Sequence, residues 1–310
     1  MYPHRLFANK NNSDGVMNIA HRGARAFAPE NTLAAFAKAK QFGCAMFEID
    51  VHRAKDGELV VHHDDQLTRC TDVSTKFPDR PSYYVSDFTS AELAGLDAGS
   101  WYARQLSLPV EQRQWFLQSL TSDEIEEFVS REDLASYASG TIHLPTLKQT
   151  LELAQDLDLM VNIELKTLPR MYAGMADAVV DLVEAMTMDH QILISSFDHQ
   201  QLQDVRQRNQ NIATAVLTGD RMVNIGEYLH LLDADAHHPG LDTLGFGGIE
   251  RKLDAPGIKR VRERGFGVNV WTCNDKNDMR KLITAGVTGL ISDFPNRVRD
   301  VISEPAVTEI

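Results

Sequence analysis

The sequence predicts an α/β protein that folds as a (β/α)8 barrel, the TIM barrel, with a small subdomain inserted after the second strand. Eight short β-rich runs follow one another along the chain, and helix-length amphipathic segments separate most of them. Strands that alternate with helices form parallel βαβ units, and eight such units match a closed barrel. An open doubly wound sheet is the alternative, but no G-x-G-x-x-G motif follows the first strand.

The β-rich runs and the helical segments can be placed in order along the chain. Strands are predicted at residues 17–21, 45–51, 160–166, 191–197, 212–217, 234–238, 267–272 and 288–293. Helices are predicted at residues 32–42, 147–157, 171–186, 199–208, 221–231, 255–264 and 276–285. Because no sequence period repeats and no stretch has low complexity, a single barrel domain over residues 1–310 is expected.

Residues 67–144 interrupt this alternation after the second strand. An extended piece at 58–63 precedes them, an irregular stretch covers 77–84, and an acidic helix is predicted to begin with Ser122 as its N-cap. Asp123 and Glu124 suit the positive end of such a helix, and apolar residues from Ile125 to Leu134 are expected to form its buried stripe. A structureless loop of this length is improbable, so a small inserted subdomain is predicted.

Composition narrows the classes of function. The chain carries 44 acidic and 31 basic residues, a formal net charge of −13. This excess of acid argues against binding to nucleic acid or to an anionic membrane surface. No apolar run is long enough to suggest a membrane span. The polar residues 1–15 show no secretory signal and the three cysteines are widely spaced, so a cytoplasmic location is expected. The oligomeric state is not predicted.

Acidic side chains lie on the face of two strands that should point into the barrel mouth. Side chains alternate along a strand, so Glu48 and Asp50 share one face, and Glu164 and Lys166 share a face of the third strand. Late positions in barrel strands are where such barrels have active sites. Three crowded carboxylates repel one another, which favours a hard cation (Mg2+, Ca2+ or Mn2+) among them. Salt bridges to Lys166 or Arg22 are the alternative.

Two histidines could supply acid–base chemistry. His21 ends the first strand, and His63 follows the apolar run 59–61 and precedes an aspartate. Imidazole titrates near neutrality, so one ring can accept a proton while the other donates. Arg22 offers a planar fork that matches a phosphate. Glu30 is expected to support the loop before the first helix, and Asp293 is expected to hold a basic side chain.

The motifs, taken in order, resemble those of the glycerophosphodiester phosphodiesterase family. The first half contains His21-Arg22-Gly23-Ala24, Pro29-Glu30-Asn31-Thr32, Glu48-Ile49-Asp50-Val51, Asp56-Gly57 and His63-Asp64. The second half contains Leu144-Pro145-Thr146-Leu147, Ile163-Glu164-Leu165-Lys166, Ser196-Phe197, Val270-Trp271-Thr272-Cys273-Asn274-Asp275 and Ser292-Asp293-Phe294-Pro295. The resemblance therefore extends from about residue 18 to residue 297.

This resemblance implies a (β/α)8 barrel that hydrolyses glycerophosphodiesters to glycerol 3-phosphate and an alcohol with a divalent cation. It assigns His21 and His63 as the acid–base pair, and it assigns the metal ligands as Glu48, Asp50 and Glu164. It assigns Arg22 and Lys166 to contacts with the phosphate, and Trp271 with Phe27 to the wall over the glycerol or alcohol portion. We expect His21 to be the base and His63, rather than the adjacent His62, to be the acid. The attacking group is either water or the neighbouring glycerol hydroxyl, through a cyclic phosphate.

Two rival functions fit the same barrel. A phospholipase acting on lysophospholipids or phosphoinositides could use the insertion as a lid over a lipid chain, and residues 106–141 do not follow the common family pattern. A non-catalytic protein that binds glycerophosphodiesters is the second rival, but it predicts the loss of a catalytic group, and both histidines and all three carboxylates are present. A sugar-phosphate isomerase or aldolase lacks support, because no lysine apart from Lys166 is marked as a Schiff-base residue, and the acidic cluster explains Lys166 better.

Overall fold

Eight parallel strands form a closed barrel in the computed structural model, which describes residues 15–167, 172–241 and 253–304. The first strand pairs with both the second and the last, and this closes the ring. The barrel strands are β1 (Met17–Ala20), β2 (Met46–Arg53), β4 (Met160–Leu165), β5 (Ile192–Ser196), β6 (Ala213–Thr218), β7 (Ala236–Pro239), β8 (Gly267–Val270) and β9 (Gly289–Ser292). The predicted fold class is confirmed, and each predicted strand agrees with an observed one to within about two residues at its ends.

Helices cover the outside of the barrel between successive strands. They are α1 (Leu33–Gln41), α7 (Leu147–Leu157), α8 (Met175–Ala185), α9 (His199–Arg208), α10 (Ile225–Leu231), α11 (Ala255–Glu263), α12 (Lys276–Ala285) and α13 (Pro295–Ile302). The helix predicted at 221–231 begins only at Ile225, because Asn224 adopts a left-handed conformation. Residue 171 of the predicted helix 171–186, and residues 1–14 of the polar start, lie outside the described residues. Helix α13 was not expected from the sequence.

The register of β2 and β4 brings the acidic residues of the two strands side by side. Asp50 pairs with Glu164 and Glu48 with Asn162, so that these side chains share the inner face. The intervening apolar residues of β2 are fully buried in the main hydrophobic core, between the sheet and its helices. The predicted alternation of the two faces is therefore confirmed.

A separate apolar cluster fills the amino-terminal part of the barrel interior. Its members are alanines, methionines and branched aliphatic residues: Met17, Ile19, Met46, Leu193, Ala213, Ala215, Ala236 and Ile291. All are at most 2% exposed. The polar positions of the same strands come later in the chain direction, so the barrel has an apolar floor and a polar mouth.

The insertion consists of short helices joined by turns. A short strand, β3 (Leu59–Val61), first pairs antiparallel with β2. The α-helices that follow are α2 (Val73–Lys76), α3 (Ser90–Ala94), α4 (Ser100–Ser107), α5 (Ser122–Phe128) and α6 (Arg131–Tyr137). Three 3-10 helices span Val85–Asp87, Val110–Gln112 and Trp115–Ser119.

Two details of the predicted acidic helix are wrong. Its N-cap is Thr121 and not Ser122, because only Thr121 has a glutamate three residues later, Glu124, to complete a capping box. The expected apolar stripe does not belong to one helix either. A second capping box, built from Ser130 and Asp133, starts helix α6, so Leu134 lies on a different helix from Ile125.

The insertion is attached to the barrel by buried and partly buried polar contacts as well as by apolar packing. The hydroxyl of Tyr102 donates to the carbonyl of Ala26 at 2.6 Å. Lys38 of helix α1 pairs with Asp133 at 2.6 Å. These contacts hold the insertion beside the loop that follows β1. Across the part of the chain described, no helix combines the length and the apolar character needed to cross a bilayer.

Candidate active site

A cavity of about 440 Å3 opens at the carboxyl ends of the barrel strands. Of the nine predicted site residues, six with charged or titratable groups line it: His21, Arg22, Glu48, His63, Glu164 and Lys166. Trp271 lines it as well. Asp50 lies just beneath, 1% exposed, in contact with the same charged groups. A smaller cavity of about 180 Å3 between α10 and α11 contains none of the predicted site residues.

The structure does not bring Phe27 to this cavity. Phe27 is fully buried, and its ring packs against Phe42 at 5.0 Å, Phe128 at 5.3 Å and Phe294 at 6.1 Å between ring centroids. The insertion contributes Phe128 to this contact, and Phe294 is the N-cap of α13. Phe27 is a residue of the hydrophobic core and not of the cavity wall.

A tight turn after β1 positions the first histidine and arginine. Arg22 and Gly23 both have left-handed backbone conformations, with φ of 55° and 76°. A Cβ on Gly23 would lie 2.7 Å from the backbone of Ala35, so helix α1 packs directly on this turn. The turn directs the N–H of Arg22 at Glu48, which accepts it at 2.8 Å. Gly23 thus serves close packing with α1.

Three carboxylates converge at the bottom of the cavity. Glu48, Asp50 and Glu164 each offer an oxygen, and these oxygens lie within 4.8 Å of one another. Asn31 donates to Asp50 at 2.8 Å. Burial, Asp50 and Glu164 raise the pKa of Glu48 well above its ordinary value. Burial also acts to raise the pKa of Asp50, but His63, Lys166 and Arg22 outweigh it and lower that pKa.

The geometry of these carboxylates fits a hard divalent cation. Oxygen ligands of one Mg2+ or Ca2+ lie about 2.0–2.6 Å from the ion, and therefore no more than about 5 Å from one another. Glu48 Oε1 is buried and has no hydrogen-bond partner among the described residues. A carboxylate with an unsatisfied buried oxygen and a raised pKa is short of positive charge, which a cation would supply.

Two cations border the carboxylates without neutralising them. Lys166 Nζ lies 2.9 Å from Glu164 and 3.6 Å from Asp50, and Arg22 Nε lies 3.6 Å from Asp50. Glu164 and Asp50 raise the pKa of Lys166 against the opposing effect of burial. The salt bridges considered from the sequence are therefore present. Because two cations face three carboxylates, they leave room for a further positive charge.

His21 is held by the buried carboxylate of Asp293. Its Nδ1 lies 2.7 Å from Asp293 Oδ1. An ionised carboxylate only accepts, so Nδ1 carries the hydrogen and Nε2 is left as an acceptor. Burial, Arg25 and Arg22 lower the pKa of His21 to about 4, although Asp293 acts in the opposite direction. Nε2 lies 3.9 Å from Glu48 Oε2, and a neutral ring with an unprotonated Nε2 is the form that a general base needs.

His63 forms a similar pair with Asp64. Its Nδ1 lies 2.6 Å from Asp64 Oδ1, and 29% of its side chain is exposed in the cavity. The adjacent His62 is 2% exposed, and its Nε2 contacts the carbonyl oxygen of Gln66 at 3.2 Å. The structure therefore brings His63 to the cavity and leaves His62 outside it, as expected from the sequence.

Aromatic side chains form part of the cavity wall. The rings of Trp271 and Phe197 meet edge to face, with centroids 5.6 Å apart. Trp271 Nε1 donates to the carbonyl of His238 at 2.8 Å, which fixes the indole. The insertion contributes Trp115, which is 68% exposed although it lines the cavity. An exposed tryptophan at a cavity mouth is available to contact a ligand.

Sequence reasoning did not assign Phe197 to the cavity wall, and it missed Arg25, Arg69 and Trp115 altogether. Arg25 is 3% exposed and pairs with Asp293, so the expected basic partner of Asp293 exists but was not identified. Arg69 pairs with Asp64 at 2.6 Å. Arg25 lies four residues after His21, and this proximity is the one local signal that could have indicated it. Arg69 and Trp115 reach the site through the folding of the insertion.

Comparisons with known proteins show which family the chain resembles. A model of the glycerophosphoryl diester phosphodiesterase family matches residues 21–297. The chain is 28% identical to a glycerophosphodiester phosphodiesterase of Caldanaerobacter subterraneus, over 92% of this chain and 96% of that one. It is 29% identical to one of Bacillus altitudinis, over 92% and 98% of the two chains. A phosphodiesterase of Oleispira antarctica, solved with the product sn-glycerol-3-phosphate, superposes with a TM-score of 0.70 at 26% identity, over 92% and 96%.

Proposed function

The chain belongs to the glycerophosphoryl diester phosphodiesterase family, and on this premise we propose that it hydrolyses glycerophosphodiesters to glycerol 3-phosphate and an alcohol. The observation that carries the proposal is one cavity with two carboxylate-held histidines, His21 and His63, above three clustered carboxylates. A protein that only bound such a diester would not need two imidazoles held in this way. The arrangement is suited to a reaction in which one proton is removed and another is delivered.

Glu48, Asp50 and Glu164 are the residues that would hold a divalent cation. When bound, such a cation polarises phosphoryl oxygens and orients the diester. Arg22 and Lys166 would contact the phosphate, since both lie at the edge of the carboxylate cluster and line the cavity. Their positive charges stabilise the phosphoryl oxygens as charge develops on them.

His21 acts as the base in this proposal. Its Nε2 accepts a proton from the nucleophile, while Asp293 stabilises the imidazolium that forms. A new P–O bond forms as the P–O bond to the alcohol breaks. His63 donates its Nε2 proton to the departing alkoxide, and Asp64 holds the Nδ1 side of the ring. The nucleophile is either water or the adjacent glycerol hydroxyl, and the second route produces a cyclic phosphate that phosphorus-31 NMR detects.

The leaving alcohol would lie against the aromatic wall. Trp271 and Phe197 line the cavity on the barrel side, and Trp115 lines it from the insertion. We propose that residues 67–144 belong to the same domain as the barrel, since Tyr102 and Asp133 fasten them to it and Trp115 completes the cavity. The insertion would then select among alcohols instead of acting as an independent module.

The test is a direct assay of product release, which measures glycerol 3-phosphate from the water-soluble diesters and the free headgroup alcohol from a lysophospholipid. Purified protein is incubated with glycerophosphocholine, glycerophosphoethanolamine, glycerophosphoglycerol and a lysophospholipid, each with Mg2+, Ca2+ or Mn2+ and with EDTA. We expect metal-dependent release from the water-soluble diesters and no release in EDTA. Preferential cleavage of the lysophospholipid would favour the phospholipase alternative. Tight binding without turnover over hours would contradict the enzymatic proposal, and turnover that is indifferent to EDTA would remove the metal from it.

A further inference from the structure

One buried carboxylate, Glu30, is shared by three arginines beside the active site. Glu30 lies in the loop between β1 and α1 and is 4% exposed. Its Oε1 accepts from Arg22 Nη1 at 2.9 Å and from Arg69 Nη2 at 2.6 Å. Its Oε2 accepts from Arg25 Nη1 at 3.3 Å. Burial acts to raise the pKa of Glu30, but the three arginines together lower it well below its ordinary value.

The first branch from Glu30 leads to His21. Arg25 is 3% exposed and bridges two carboxylates, Glu30 on one side and Asp293 on the other. Its Nε and Nη2 both donate to Asp293, the second at 3.0 Å. Asp293 in turn accepts from His21 Nδ1 at 2.7 Å. The planar guanidinium of Arg25 therefore fixes the Asp293 carboxylate, and this carboxylate in turn fixes the His21 imidazole.

The second branch repeats the same order of groups and leads to His63. Arg69 Nε donates to Asp64 Oδ2 at 2.6 Å, and its Nη2 donates to Asp64 Oδ1 at 3.0 Å as well as to Glu30. Asp64 accepts from His63 Nδ1 at 2.6 Å. Each histidine thus stands at the end of its own chain of carboxylate, arginine and carboxylate, and both chains start at Glu30.

We propose that Glu30 is a positioning residue that holds both catalytic histidines in register, through Arg25 and Asp293 on His21 and through Arg69 and Asp64 on His63. This inference rests on the proposed function, because it assumes that the two histidines act in one reaction. Concerted removal and delivery of protons requires both rings to be aligned in the same molecule at the same time. A shared anchor meets that requirement, whereas two separate anchors would let each ring drift alone.

Replacing Glu30 by Gln keeps the size of the side chain and removes the charge that the three arginines share. We compare kcat for glycerophosphocholine with kcat for the p-nitrophenyl ester of glycerol 3-phosphate. A p-nitrophenolate leaves without being protonated, whereas an alkoxide needs a proton to leave. A displaced general acid therefore lowers kcat more for glycerophosphocholine than for the nitrophenyl ester. We expect Glu30→Gln to lower kcat by about 100-fold on glycerophosphocholine and about tenfold on the nitrophenyl ester. Glu30→Asp, which keeps the charge, should recover part of the loss.

Glu124 provides a matched control. It also joins the insertion to the barrel through an arginine, accepting from Arg297 Nε at 2.8 Å and from Asn296 Nδ2 at 3.0 Å. It contacts neither histidine pair. Glu124→Gln should lower the midpoint of thermal unfolding while leaving the ratio of the two kcat values unchanged. If Glu30→Gln lowers both kcat values by one common factor, Glu30 has only a structural role and the inference is overturned.

Two further variants keep the test decisive if Glu30→Gln does not fold. Arg25→Lys and Arg69→Lys each break a single branch, because an ammonium cannot bridge two carboxylates as a guanidinium fork does. Arg69→Lys, on the branch of the general acid His63, should reproduce the dependence on the leaving group. Arg25→Lys, on the branch of His21, should lower kcat by the same factor on both substrates. If both variants lower the two kcat values by a common factor, the inference is overturned. A wild-type protein that releases no glycerol 3-phosphate from either substrate would instead contradict the proposed function.

Discussion

Replacing Asp293 by Asn tests whether the carboxylate behind His21 controls that ring. Asp293 is fully buried and accepts from His21 Nδ1 at 2.7 Å, Arg25 Nη2 at 3.0 Å and Asn274 Nδ2 at 2.7 Å. An amide of the same size removes the charge and presents an NH2 group in place of one accepting oxygen. His21 then loses the partner that keeps its Nδ1 hydrogen away from the cavity.

Two losses of different kinds should follow from Asp293→Asn. Misplacing a general base lowers kcat by about 10^2–10^4-fold. Arg25, 3% exposed, is left with Glu30 at 3.3 Å as its one anionic partner among the described residues. Removing one partner of a buried ion pair lowers the free energy of unfolding by about 3–5 kcal/mol. The variant should therefore be both slow and less stable.

The two losses are measured separately. Glycerol 3-phosphate release gives kcat at a temperature at which the variant is folded, and urea unfolding followed by circular dichroism gives the free energy. Asp235→Asn is the control, because Asp235 accepts from Arg206 at 2.6 Å just before β7, at the end of the barrel away from the cavity. The control should lose stability and keep its kcat. A folded Asp293→Asn protein with kcat within about threefold of wild type would refute the reasoning.

Three other predictions follow from the site. Since the pKa of Glu48 is raised, the free-energy cost of keeping Glu48 ionised in the folded protein grows as the pH rises. Mg2+, Ca2+ or Mn2+ should therefore stabilise the fold at neutral pH and less so in acid, by about 2.7 kcal/mol at 100 times Kd, which thermal unfolding measures. Glu48→Gln should abolish this stabilisation. His63→Gln should lower kcat by about 10^2–10^4-fold, whereas His62→Gln should cost stability and leave kcat of the folded protein nearly unchanged; equal activity losses would contradict the assignment. Trp115→Ala should raise KM for glycerophosphocholine by about 5–30-fold, whereas Trp115→Phe should keep most of the contact. An unchanged KM in the alanine variant would contradict a contact between Trp115 and the substrate.

The predicted site residues that lie at the cavity are those whose placement depends on local periodicity. Glu48 and Asp50 had to share a face because side chains alternate along a strand, and the barrel then fixed which face points inward. This inference required no knowledge of how distant segments pack. The sequence analysis did not predict the contact of His21 with Asp293, although the two residues follow neighbouring strands, β1 and β9, whose parallel register brings them together.

The residues that the sequence misjudged depend on tertiary packing. Phe27 stands next to a site motif, but its ring is drawn into the core by Phe42, Phe128 and Phe294, which lie on three separate elements. Trp115 lies far along the chain from the site motifs, and only the folding of the insertion brings it to the cavity. Neither position has a local pattern that distinguishes a core ring from a wall ring.

The apolar floor of the barrel has a kinetic consequence. Since Ile19, Met46 and Leu193 close the interior below the carboxylates, substrate and both products have to use one opening. The alcohol would lie nearer Trp115 at that opening, and glycerol 3-phosphate would lie deeper, beside Glu48. We therefore expect ordered departure, with the alcohol first. Added glycerol 3-phosphate should then inhibit competitively against the diester, and an added alcohol should inhibit noncompetitively, which initial-rate product inhibition can measure.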